Sequence, residues 1–277
     1  MNIRYQTPKG GTTIYAAMTK LIDTLDTIDD IDHVLGWACP VPFFGSISGA
    51  SVATVGINPS NREFVDRDGR ELQSDQRRFP TLGSLSIADW SDVDGHQIAE
   101  IVRACVRYFE INPYRQWFDV LDRLLCAGGK SYYHEQSACH IDLVAFATGA
   151  KWGAIDSAAK RSLIERNRRP MAELIRDSPV QVLVLNGRAV VREFENFTGN
   201  ELAAEGVDEW MLPRTGARGV PGIAYKGHVS SIGDIDLGRE ISVFGFNHNL
   251  QSSFGVTTHV ISNIANRIGE EIGSATD

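Results

Sequence analysis

Four short apolar segments constrain this chain more than any other feature: SVATVGI at 51–57, CHIDLVAFA at 139–147, VQVLVL at 180–185 and ISVFGF at 241–246. Each is apolar at nearly every position and rich in β-branched residues, the pattern of a strand covered on both faces. Helical patterns run between them. In the clearest, Ile98, Ile101, Val102, Cys105, Val106 and Phe109 form one apolar stripe, and Ser91 with Asp94 resembles a capping box just upstream. Further helices are expected over roughly 13–28, 117–126, 157–176, 188–197 and 256–272. Buried parallel strands need long crossovers, so the alternation predicts an α/β fold. The expectation is a single three-layer α/β/α domain over 1–277 with a mainly parallel central sheet, a helical segment over about 1–35 and a core over about 36–272.

The chain is long enough for a sizeable core, and 43% hydrophobic and 22% charged residues are ordinary globular values. No apolar run approaches the roughly 18 residues of a membrane span, and MNIRYQTPKGG lacks the apolar core of a signal peptide. A soluble, cytoplasmic monomer with no membrane partner is expected. Cys39, Cys105, Cys126 and Cys139 include no C-x-x-C pair, so no metal site or other cofactor is expected and all four read as buried free thiols. A formal charge of −8 opposes a broad nucleic-acid footprint but permits a local one. Arginines gather at Arg77 and Arg78, from Arg161 to Arg169, and at Arg214 and Arg218. The 161–169 run reads as a solvated helix face.

In open α/β sheets, ligands bind at the carboxyl ends of the strands. Asn58, Asp142, Asn186 and the pair Asn247/His248 all fall there. Asn186-Gly187 also reads as a turn leading directly into a helix. Asn58 differs because Pro59 follows it, biasing its backbone toward an extended form on a stiff loop.

GINPS at 56–60, after an apolar strand, resembles the first motif of the uracil-DNA glycosylase superfamily. It is most similar to the G-[IM]-N-P-G of the mismatch-specific and single-strand-selective branches, with Ser60 in place of the last glycine. HNLQSS at 248–253 is similar to the second motif, H-P-S-P-L-S, in its histidine and final serine. HIDLVAFAT at 140–148 resembles the strand that presents a base-reading asparagine, and VLVLNGRAVV at 182–191 resembles another strand and turn of that fold. The likeness runs over about residues 36–270.

The resemblance implies a uracil-DNA glycosylase-like fold and a monofunctional DNA glycosylase that flips a nucleotide into a pocket and hydrolyses its N-glycosidic bond, leaving an abasic site. Asn58 would orient the attacking water through its amide oxygen, and His248 would donate to the leaving base. Gly56 and Ile57 would line the base, with Phe79 or Phe44 stacked on it and Phe64 as a further aromatic. Asp142 stands where uracil-reading relatives carry asparagine. A carboxylate only accepts, which suits the N4 amine of cytosine. The expected substrate is therefore a cytosine-type base, perhaps C5-modified. That is similar to antiphage glycosylases that remove glucosylated hydroxymethylcytosine. Ser60, Asn61, Arg62, Arg77, Arg78, Ser252 and Ser253 would contact DNA, and Leu250 or else Phe254 would fill the gap left by the flipped base. The alternatives are a repair glycosylase for uracil or mismatched bases, a catalytically silent DNA- or nucleotide-binding module, and an enzyme acting on free nucleosides.

Overall fold

The computed structural model describes residues 9–28, 33–214, 217–252 and 255–276. One seven-stranded sheet holds β1 (Phe43–Phe44), β2 (Val52–Gly56), β3 (Ala138–Asp142), β4 (Val182–Asn186), β5 (Ala203–Arg214), β6 (Ala217–Ile232) and β7 (Ile235–Phe246). Their order is β1-β3-β2-β4-β7-β6-β5. β3, β2, β4 and β7 are parallel, and β1, β6 and β5 join antiparallel at the two sides. The α/β class expected from the alternation is what the chain forms, with four parallel strands at the centre of a mixed sheet. Every residue of β3 and β4 is buried, which is why these strands read as unbroken apolar runs.

The helices are α1 (Lys9–Asp26), α2 (Leu82–Leu85), α3 (Gly95–Val106), α4 (Tyr108–Ile111), α5 (Arg115–Cys126), α6 (Ser157–Arg176), α7 (Arg188–Thr198) and α8 (Thr258–Thr276). The chain leaves β2 toward β3 on one side and then crosses back to β4 on the other, so right-handed crossovers set α5 and α6 on opposite faces. Accordingly α5 packs with α8, and α1 packs with α6. The cap of α3 differs from expectation. Asp94 is the N-cap, accepting from the backbone of His96 and Gln97 while the Gln97 side chain returns to Asp94, and Ser91 takes no part in the box.

The long β5–β6 hairpin was not expected. Its residues alternate or face solvent, with β5 exposed at Ala203–Gly206 and buried only at Val207, Trp210 and Leu212. A strand covered on one face gives no continuous apolar run, and Pro213 and Pro221 weaken the signal further. The expected strand over 139–147 also ends early, at Asp142, and its remainder becomes a buried loop. Cys39, Cys105 and Cys139 are buried as expected, whereas Cys126 is exposed at the end of α5. Among the described residues no helix is long and apolar enough to cross a membrane.

Candidate active site

The reversal of direction at β2 opens a crevice at the carboxyl ends of β2 and β4, the position at which α/β sheets bind ligands. A cleft of about 690 Å³ lies there. Gly56 to Ser60, Asp142, Asn186 and Asn247 all line it. Four strand ends thus deliver polar groups to one space, as the sequence suggested.

Asn58 is held from the loop after β3. That loop stays paired with the end of β2: Leu143 and Val144 donate to the carbonyls of Gly56 and Ile57 at 3.1 and 2.9 Å. It is also pinned from α6, where the fully buried Asn167 accepts from Ala145 N at 2.9 Å. The amide nitrogen of Asn58 donates to Phe146 O at 3.3 Å and to Thr148 Oγ1 at 3.1 Å. A carbonyl can only accept, and Thr148 already donates its own proton to Ala150 O at 2.7 Å. The amide is therefore oriented unambiguously. No described residue donates to its Oδ1.

The floor is built on β3. His140 and Asp142 alternate onto one face, both buried, with His140 Nε2 3.4 Å from Asp142 Oδ1. Gly56 pairs with Asp142 across the strands, and a Cβ there would lie 2.1 Å from Asp142 Oδ1 and 2.7 Å from His140 Nε2. Glycine is needed to admit this pair. Behind it, Tyr132 bonds Thr54, and Thr54 Oγ1 lies 2.7 Å from His140 Nδ1. With Tyr132 donating to Thr54 and Thr54 to Nδ1, no buried hydroxyl proton is stranded, and Nε2 is the ring N–H that faces Asp142. Burial pushes the Asp142 carboxyl up, and the bond from His140 opposes that.

Glu63 forms a wall that the sequence reading missed. Ser60 caps a single 3-10 turn, Asn61–Glu63, by accepting from Arg62 N at 3.2 Å, and the turn carries Glu63 inward to 3% exposure. Tyr108 donates to Glu63 Oε2 at 2.8 Å, and Arg78 Nε lies 3.8 Å from the same oxygen. Burial raises the Glu63 carboxyl to about 7 against the opposing Tyr108 and Arg78 contacts. The S-x-x-E spacing marks the turn in the sequence. Nothing local marks the inward burial of the acid.

The expected DNA-contacting arginines are engaged elsewhere. Arg62 bonds Asp66 O, while Arg78 donates to Asn112 O at 3.0 Å and Arg62 O at 2.8 Å. Arg77 donates to Gln73 at 3.1 Å. These side chains brace the 61–80 segment on itself and on Asn112 at the end of α4, and Asn61 sits in its capped turn. The cations lining the cleft are Lys151 and Arg188. On α6, Arg168 donates to Phe197 O and Arg169 pairs with Glu173 and Asp234.

Phe44 lines the cleft together with Tyr114, Trp117, Phe118 and Trp152. Phe79 does not reach it. It lies behind Phe44, stacked on Tyr108 at 5.3 Å, with Phe64 beside it. Asn186 lines the cleft and also ties β4 to the loop after β7, accepting from Leu250 N at 3.1 Å and donating to Gln251, which in turn donates to Trp117 O. Gly187, at φ +100°, has a backbone that residues with side chains rarely adopt, and a Cβ there would lie a tight 3.1 Å from Asn249 Cβ in that loop.

His248 points away from the cleft. Its Nε2 donates to Trp210 O at 2.7 Å inside the β5–β7 layer, and burial holds the ring below the usual histidine range. Leu250 is 7% exposed, buried rather than presented as a wedge. Ser252 lines the cleft, whereas Ser253 and Phe254 lie outside the described residues. Among the described residues no group of three or more His, Cys, Asp or Glu side chains is arranged to hold a metal ion. Neither protein-family models nor curated proteins give a match to this chain.

Proposed function

We propose that the chain is a monofunctional DNA glycosylase whose cleft receives a flipped nucleotide carrying a cytosine-type base. The observation that carries this reading is the oriented amide of Asn58, its nitrogen bonded to Phe146 O and Thr148 and its oxygen left for a ligand. When the bond between C1′ and N1 breaks, the sugar develops cationic character, and the attacking water needs placement more than deprotonation. An immobilised amide oxygen supplies placement. Asp142 faces the same cleft with a carboxylate that accepts from an exocyclic amine, and the His140 proton on Nε2 helps to hold that carboxylate in place. The volume, about 690 Å³, falls within the usual range for small-ligand sites. It leaves room for a base with a C5 substituent, and phage defence is the role that such a substrate favours.

Labelled single- and double-stranded oligonucleotides bearing uracil, thymine mismatches, cytosine or C5-substituted cytosines, treated with alkali after incubation, test the reading. Alkali-dependent scission is expected on a cytosine-type substrate. Scission at uracil alone would favour a repair enzyme instead. The orientation of His248 toward Trp210 supports a second reading, a silent nucleotide-binding module, because it removes the donor expected at the leaving base. Binding without scission on any substrate would select that reading.

A further inference from the structure

We propose that Glu63 is the general acid of this cleft, delivering a proton to the base as it leaves; this rests on the glycosylase reading. The first support is directional. Tyr114 N donates to Tyr108 Oη at 2.8 Å, so the Tyr108 hydroxyl proton is the one that reaches Glu63 Oε2, also at 2.8 Å. Burial keeps Tyr108 a phenol by raising it well above the usual tyrosine range. With Oε2 occupied by Tyr108 and approached by Arg78 at 3.8 Å, a protonated Glu63 carries its hydrogen on Oε1. No described residue bonds Oε1, and Glu63 lines the cleft with Asp142 and Asn58.

The second support is chemical. A base with an exocyclic amine leaves less readily as an anion than one with two carbonyls, so a cytosine-type substrate gains more from protonation. As the C1′–N1 bond breaks, its electron pair passes to the base while the Oε1 proton moves to the base O2 or N3. The water held by Asn58 then bonds C1′ and releases its proton to solvent, and solvent returns a proton to Glu63. The products are the protonated base and an abasic sugar. Other groups bear on Glu63: the hydrogen bond from Tyr108 on α4 and the charge of Arg78 lower its hold on the proton, and Asp142 from β3 strengthens it. His140 is engaged with Asp142. A carboxyl poised near neutrality matches what general acid catalysis requires.

Rates as a function of pH, for wild type and Glu63→Gln on substrates with graded leaving-group acidity, test the assignment. Glutamine preserves an acceptor for Tyr108, and a cooperative urea transition with an unchanged far-UV circular dichroism spectrum checks folding. Wild-type kcat should decline above about pH 7, and Glu63→Gln should lose about a hundredfold or more at pH 6 together with that decline. The deficit should shrink on bases that form stable anions, which a merely structural role does not produce. An active wild type with an unchanged pH profile in Glu63→Gln, or a deficit independent of the leaving group, would overturn the assignment. Absence of scission by the wild type itself would instead remove the glycosylase reading, and Glu63's role with it.

Discussion

Replacing Glu63 by glutamine should change how stability depends on pH, and this tests the buried acid without any substrate. The wild-type carboxyl is 3% exposed, and its affinity for a proton rises from an ordinary 4.5 to about 7, chiefly through burial. The folded state therefore binds this proton more tightly than the unfolded state. Between those two values the folded chain holds more protons, so its stability falls as pH rises through the window and levels off above it. At about 1.4 kcal/mol per pH unit the whole effect is about 3 kcal/mol. Below pH 4.5 the acid is protonated in both states and the effect is absent. Urea midpoints for both proteins, taken at intervals from pH 4.5 to 8, isolate it, because other titrating groups are common to the pair. The wild type should lose about 3 kcal/mol relative to Glu63→Gln across that range. Two curves that stay parallel would show Glu63 titrating at its ordinary value and would refute the reasoning.

Asn58→Ala should lower kcat by about a hundredfold and, by leaving Phe146 O without its donor, cost about 1 kcal/mol of stability; a fully active variant would exclude the amide as the holder of water. Asp142→Asn should shift preference toward uracil in a competition between oligonucleotides, because an amide can both donate and accept. Gly56→Ala should destabilise by about 1–3 kcal/mol in urea unfolding, since its methyl would lie 2.1 Å from Asp142 Oδ1. Combination with Asp142→Ala should recover part of that loss.

The parts of the fold legible in the sequence are those whose physics is local. Strands covered on both faces announce themselves as apolar runs, and Asn58, Asp142, Asn186 and Asn247 could be assigned to one edge because every parallel strand ends there. Burial on one face writes a weaker signal, which hid β5 and β6. Side-chain direction is less legible still. His248 follows β7 as the motif suggests, yet the unforeseen β5 strand supplies a carbonyl that captures its ring. Arg62 and Arg78 read as phosphate ligands in the sequence, and only the fold shows that they bond the carbonyls of Asp66, Arg62 and Asn112. His140 lay within an apolar run two residues before Asp142, spacing that puts both on one face of a strand, but only the absent Cβ of Gly56 reveals why they share a pocket.

Three features meet on adjoining surfaces of the cleft. Ser60, where the resembling motif has glycine, caps the turn that faces Glu63 inward. The 61–80 segment returns Arg78 to bond Arg62 O and to lie 3.8 Å from the Glu63 carboxyl, so it braces the turn that Ser60 begins. Asp142, where the resemblance would place asparagine, adds a second acid that tightens Glu63's hold on its proton. Each alone would be a tolerable substitution. Together they place a buried acceptor and a buried acid on one cleft, the pair of groups that the proposed cytosine-type substrate would use for recognition and for departure.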